Sequence, residues 1–292
     1  MSAQEPSQAN VNPATGAFDA TLHATASDRR ALLATCVAAA VKGAEAIRAH
    51  AQDLSTLEWE EKARADYVSA ADRDSETAIR ELVLGRHTDA VILGEELSPK
   101  VAAETMKRGL VFVVDPLDGT TNFLHGFPWY AVSIAGMIDG ALAAGVVLNV
   151  ANGELFTAVE GSGARRNGQP IRVSRIEDPI RSLVGTGFPF KNGDQVDEYL
   201  RGFGAAMRGT AGVRRAGSAS LDLADVACGR YEAFWELMLA PWDIAAGLLL
   251  VREAGGVVTD LAGNPATVTY TGLVGGNVKM HRWLMEKVIG GQ

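Results

Sequence analysis

Cysteine is almost missing from this chain. Cys36 and Cys228 are the only two in 292 residues, and with no cleavable signal ahead of them they read as reduced thiols of a cytoplasmic protein, not as a disulfide framework. Histidine is equally sparse: five are scattered along the chain, and no Cys/His cluster has the spacing of a zinc site. Positive charge is in deficit, with a formal net charge of −8, which argues against a nucleic-acid surface, although Arg214-Arg215 is a local basic pair. Long hydrophobic runs are lacking too. Only 131–150 approaches a membrane span, and Asp139-Gly140 divides it into two β-compatible halves, the signal of a hairpin between two buried antiparallel strands. No internal repeat is visible. What remains is a chain 47% hydrophobic, long enough to bury one large core or two packed subdomains, with no membrane partner expected.

Along the chain, 1–27 is rich in Ala, Ser, Asn, Thr and Pro without an apolar period, and is expected to be a disordered or loosely attached extension. Leu32, Leu33, Cys36, Val37, Val41 and Ile47 recur at helical spacing and predict a long amphipathic helix over 28–51. A second helix should follow Asp72 through Ile79, Leu82 and Val83. Short strands are expected at 90–93, 110–114, 155–159, 171–173 and 183–187, and helices at 194–207, 218–227 and 241–253. The pattern divides into an N-terminal α+β part, 28–177, and a C-terminal α/β part, 178–292.

The most informative segment is Val113-Val114-Asp115-Pro116-Leu117-Asp118-Gly119-Thr120-Thr121-Asn122-Phe123. An apolar strand ends at Asp115, and Pro116, with no N–H and a fixed φ, should stop its ladder. Hard divalent cations take oxygen ligands, so Asp115, Asp118 and the carbonyl of Leu117 could converge on a metal pair. Gly119 allows close backbone approach, and if 120–124 begins a helical turn, the N–H groups of Gly119 and Thr120 favour a phosphate. The plain alternative is an Asp-rich turn whose carboxylates cap the next helix. Glu95-Glu96 ends the 90–93 strand, where alternation lets only one of the pair face the same way as the metals. Asp243 falls in the first turn of a helix opened by Pro241 and is either a ligand or a helix-terminal charge.

Taken together, these segments resemble the inositol monophosphatase family of magnesium-dependent, lithium-sensitive phosphatases. One family signature matches 113–126; the other matches Trp242-Asp243 through Glu253-Ala254-Gly255-Gly256, and the likeness runs from about Asp28 to Ile289. The resemblance implies a layered αβαβα sugar-phosphatase fold of the α/β (α+β) class, with a mainly antiparallel N-terminal sheet. It implies two to three Mg2+ ions: Glu96 joins Asp115 and the Leu117 carbonyl around the first, and Asp115 bridges to a second held by Asp118 and Asp243. Asp72, in Val68-Ser69-Ala70-Ala71-Asp72, would orient the attacking water with Thr120, so that Asp72, Glu96 and Thr120 form the catalytic set. Gly119 and Thr120 would bind phosphate. Asp118, Ala219, Glu236 and Asp243 would contact the alcohol, although Ser218-Ala219 also reads as a plain helix N-cap and Glu236 as the outward member of an alternating strand. Thr186-Gly187-Phe188-Pro189 resembles a bacterial-type variant of a pocket-rim segment. One departure concerns the family's loop lysine, placed five residues before the position of Asp66. Lys62 is one residue nearer, which leaves open that it is merely solvated.

The resemblance implies a phosphoric monoester hydrolase, an inositol-phosphate phosphatase acting by metal-activated water on a small phosphorylated polyol, and a homodimer. Histidinol phosphate, fructose 1,6-bisphosphate and 3′-phosphoadenosine phosphates are the alternative substrates. A non-catalytic binding protein on the same fold is the alternative class, for which at least one broken carboxylate is expected; Asp72, Glu96, Asp115, Asp118 and Asp243 are all present.

Overall fold

The computed structural model describes residues 24–54, 57–63, 66–102, 104–189 and 195–290. Most of the expected N-terminal extension therefore lies outside the described residues. Helix α1 (Ala26–His50) starts two residues earlier than its apolar spacing predicts, because Thr25 caps it in a reciprocal box with Asp28. A two-stranded hairpin, β1 (Trp59–Ala63) with β2 (Asp66–Ser69), leads into α2 (Ala70–Arg86), and β3 (Val91–Gly94) follows.

Next come β4 (Leu110–Asp118), the short helix α3 (Thr120–Leu124), and β5 (Ala131–Ile138) paired with β6 (Ala141–Asn149). The β5–β6 turn is Asp139-Gly140, with φ of 48° and 81°, the left-handed pair that a two-residue hairpin demands. β7 (Leu155–Val159), β8 (Gly163–Arg166) and β9 (Gln169–Pro170) complete a seven-stranded sheet in which β3 and β4 are parallel and all later pairs antiparallel. The strand expected at 171–173 does not form. β9 ends at Pro170, and the Val173 N–H instead donates to the carbonyl of Ala254 at 3.1 Å.

The second sheet is built from β10 (Leu183–Thr186), β11 (Gly212–Arg214), β12 (Ala233–Leu239), β13 (Val257–Asp260) and β14 (Thr271–Gly276), in the order β11-β10-β12-β14-β13. Its helices are α4 (Val196–Gly209), α5 (Ala219–Ala227), α6 (Pro241–Glu253) and α7 (Val278–Leu284), the last continued by a π-turn. The expected start of α4 at Asp194 lies outside the described residues. Five layers result: α1 and α2 cover one face of the seven-stranded sheet, α5 and α6 fill the space between the sheets, and α4 and α7 cover the far side.

Position explains composition. α6 is apolar on every side because both sheets bury it, whereas α1 keeps its buried residues, Leu32, Cys36, Ala40, Ala44 and Ile47 among them, on one stripe. Leu248 in α6 is fully buried, and truncating such a leucine to alanine costs about 2–5 kcal/mol. No helix among the described residues is long and apolar enough to cross a membrane.

Candidate active site

The carboxylates of interest stand where elements end. β4 does not stop at Pro116: it pairs through Asp115 with Ser133, bulges over two residues, and pairs again at Asp118 with Ala131. The bulge forms because proline brings no N–H to the ladder, and it sets Asp115 and Asp118 on either side of one irregularity. The Leu117 N–H closes the bulge onto Asp115 Oδ1 at 3.1 Å. Gly119 follows at φ 99°, a left-handed turn that redirects the chain into α3.

Asp72 and Thr120, far apart in sequence, meet directly. Asp72 Oδ2 accepts from the Ser69 N–H (2.8 Å) and hydroxyl (2.6 Å), capping α2, which leaves Oδ1 to the Thr120 hydroxyl at 2.8 Å. That hydroxyl also lies 3.1 Å from the Leu117 carbonyl. Burial raises the Asp72 pKa against these bonds.

Asp118 points the other way, into the start of α5. Its Oδ2 accepts from the Ser218 hydroxyl at 2.6 Å, the Ser220 N–H at 2.7 Å and the Ser220 hydroxyl at 2.5 Å. Ser218 thus spends its side chain on Asp118 and makes no side-chain cap of its own. Ser220 carried no signal in the sequence, since its partner is over a hundred residues away. Asp243 Oδ2 accepts from the Ala240 N–H at 2.7 Å, so it does cap α6. It also adds its charge to those of Asp115 and Glu95.

The choice between Glu95 and Glu96 goes against the sequence expectation. Alternation presumes an extended chain, but β3 ends at Gly94 and both glutamates occupy a turn. Asp115 is pushed well above the carboxylate range by burial, then by the charges of Glu95, Asp118 and Asp243; Glu96 is not among its principal neighbours. The Glu96 charge falls beside Asp72 and Glu76 instead. Glu95, not Glu96, therefore stands with the aspartates. Burial, Asp243 and Glu96 push the Glu95 carboxyl up to about 8, with Lys62 opposing.

Lys62 is not merely solvated. Its side chain is 28% exposed and its Nζ lies 2.9 Å from Glu95 and 2.7 Å from Glu96, bridging the pair. Glu76, missed in the sequence, is fully buried and receives the Glu96 N–H at 2.7 Å and the Leu97 N–H at 3.2 Å, which fixes the turn. Its signal was the four-residue step from Asp72, which puts both on one face of α2.

Part of this set borders a cleft of about 760 Å³, whose wall includes Lys62, Glu95, Asp118, Ala219, Glu236 and Asp243, whereas Asp72, Glu96, Asp115 and Thr120 are not part of that wall. Glu236 faces this cleft from β12 and not bulk solvent. Gly187 makes room for it: a Cβ there would lie 2.0 Å from the Glu236 Cδ. Arg215 stacks over the Phe188 ring at 5.3 Å on the same rim. Among the described residues no three acidic, histidine or cysteine groups are already drawn into coordination geometry. The donor set nonetheless suits a hard divalent cation: it is all oxygen, largely buried and crowded with like charge, with Lys62 bridging Glu95 and Glu96.

Comparison with known proteins identifies the family. The family model described as the inositol monophosphatase family matches residues 28–290. The chain is 42% identical to a Nus factor SuhB of Pseudomonas aeruginosa, over 88% of this chain and 95% of that one. It is 41% identical to an inositol-1-monophosphatase of Rhizobium meliloti, over 89% and 97%. The crystal structure of extragenic suppressor protein suhB from Bartonella henselae superposes with a TM-score of 0.84 at 39% identity, covering 90% of this chain and all of that one.

Proposed function

The chain belongs to the inositol monophosphatase family, and from that premise we propose that it hydrolyses the phosphate monoester of a small polyol, inositol monophosphate first, with magnesium held by its clustered carboxylates. The observation that carries this reading is the crowding of Glu95, Asp115, Asp118 and Asp243: after burial, the charges of the other three raise Asp115, and that of Asp243 raises Glu95. Such a cluster is costly in itself and is offset by divalent cations. Glu95 replaces Glu96 in the proposed ligand set, with the Leu117 carbonyl as a further oxygen. Bound there, the ions would offset phosphate charge, lower the pKa of a water and stabilise the departing alkoxide.

The chain's own residues do the rest. Thr120 donates to Asp72 Oδ1, so as its hydroxyl oxygen receives a proton from water its own proton passes to Asp72, which holds it. The water oxygen bonds to phosphorus as the bond to the alcohol oxygen breaks. Gly119 and Thr120 offer backbone N–H groups to the phosphate, while Ala219 and Glu236 meet the alcohol. Similarity to a Nus factor favours a second reading, a binding role on the same fold.

Phosphate release with magnesium from inositol 1-phosphate, histidinol phosphate, fructose 1,6-bisphosphate and an adenosine bisphosphate tests the proposal. Preference for the inositol ester is expected; release from none of the four would favour the binding role.

A further inference from the structure

Asp222 lies in the first turn of α5 and is 1% exposed, yet it forms part of the cleft wall. Its Oδ1 has no hydrogen-bond partner among the described residues. A buried carboxyl oxygen without a partner is rare and calls for a physical reason. Asp225, one turn further on, shows the ordinary solution, since the Arg230 guanidinium holds it at 2.9 Å. Asp222 has nothing of the kind and faces the cleft.

The groups around it are mostly of its own sign. Glu236 from β12, Asp225 from α5 itself and Asp118 from β4 add to the effect of burial, and Arg215, just ahead of α5, opposes them. Tyr231, two residues ahead of β12, feels the Asp222 charge as well. Burial and then these carboxylates push Asp222 well above the usual carboxylate range, which favours its protonated form, and a protonated carboxyl is a hydrogen-bond donor. Glu236, seated in the space that Gly187 leaves, is an acceptor. A hydroxyl both gives and receives a hydrogen bond, and this pair of groups matches it on both counts.

We propose that Asp222 reads the alcohol beside Glu236, donating a hydrogen bond to one of its hydroxyl oxygens, and so sets specificity for polyol over aryl esters. The inference rests on the reading of the cleft as a polyol phosphate site.

The test compares kcat/KM for myo-inositol 1-phosphate and 4-nitrophenyl phosphate, with magnesium, in wild type, Asp222→Asn and Asp222→Leu. Asp222→Leu should lower the inositol ester about tenfold, through KM, and leave the aryl ester within about twofold, as the loss of one hydrogen bond implies. Asp222→Asn keeps an N–H donor and should hold the ratio of the two within about threefold of wild type. An equal fall on both esters in folded Asp222→Leu overturns the inference, because a merely structural residue acts on both alike. Should the leucine variant not fold, Asp222→Asn decides: a retained ratio supports the inference and a collapsed one overturns it. A wild type inert on both esters would overturn the reading of the cleft and this inference with it.

Discussion

Exchanging Glu95 and Glu96 in turn for glutamine separates two assignments that differ by one residue. The Glu95 side chain is 20% exposed and adds its charge to Asp115 while sharing the field of Asp243. Glu95→Gln keeps the shape but removes one negative charge from the proposed ligand set. Divalent ions contribute several kcal/mol of transition-state stabilisation, and losing about 3–4 kcal/mol corresponds to a rate loss of about 10²–10³. Glu96, by contrast, meets Lys62 at 2.7 Å and has its main electrostatic neighbours in Asp72 and Glu76. Glu96→Gln retains a group that hydrogen-bonds Lys62 and should cost about tenfold or less, the scale of one charge-assisted hydrogen bond. Phosphate release against magnesium concentration gives kcat and the half-saturating magnesium for each variant. Glu95→Gln should need more magnesium and Glu96→Gln should not. The larger loss in Glu96→Gln, or equal losses, would refute the argument from the turn and return the ligand to Glu96.

Further outcomes follow from the same geometry. Thr120→Ala removes the hydroxyl that holds Asp72 Oδ1 and should lower kcat by about a hundredfold with little change in KM; an unchanged kcat takes Thr120 out of the reaction. Glu236→Gln should weaken inositol phosphate by about 1–3 kcal/mol, as expected for a charged hydrogen bond, and spare an aryl phosphate. Gly187→Ala, whose Cβ would collide with that carboxylate, should do the same, and equal effects on both esters would place Glu236 outside the alcohol pocket. In chelator, stability should fall as pH rises from about 5 to about 8. Over this interval the folded Glu95 carboxyl, raised to about 8 from an ordinary 4.5, holds a proton that the unfolded chain has given up. The loss is about 1 kcal/mol per pH unit, read as a drop in Tm, and magnesium should raise Tm and flatten the slope. A Tm that climbs over this interval would contradict the charge cluster.

What the sequence made legible was local. Val113 to Phe123 announced a strand, a turn and a helical start because apolar runs, proline and glycine act on their immediate neighbours, and α6 was bounded correctly from Pro241 and its apolar run. The Asp139-Gly140 hairpin was legible for the same reason. Errors arose where a local rule was carried past its range. Pro116 bends β4 into a bulge without ending it, since pairing resumes at Asp118. Glu95 and Glu96 sit in a turn, where strand alternation does not apply. The bonds from Ser218 and Ser220 to Asp118, and from Glu76 to the 95–97 turn, depend on contacts between distant elements. No periodicity encodes those.

The central claim is that clustered carboxylates at the ends of β3, β4 and the start of α6 hold magnesium for water attack on a polyol phosphate. It is tested most directly by titrating magnesium against phosphate release from inositol 1-phosphate in wild type and Asp115→Asn. Asp115 is buried beside three other carboxylates, so the account predicts saturable magnesium-dependent release in wild type. It predicts less than about a tenth of that release in a folded Asp115→Asn at any magnesium concentration, because loss of a shared ligand removes several kcal/mol. Release that ignores magnesium, or a variant that matches wild type, would contradict it.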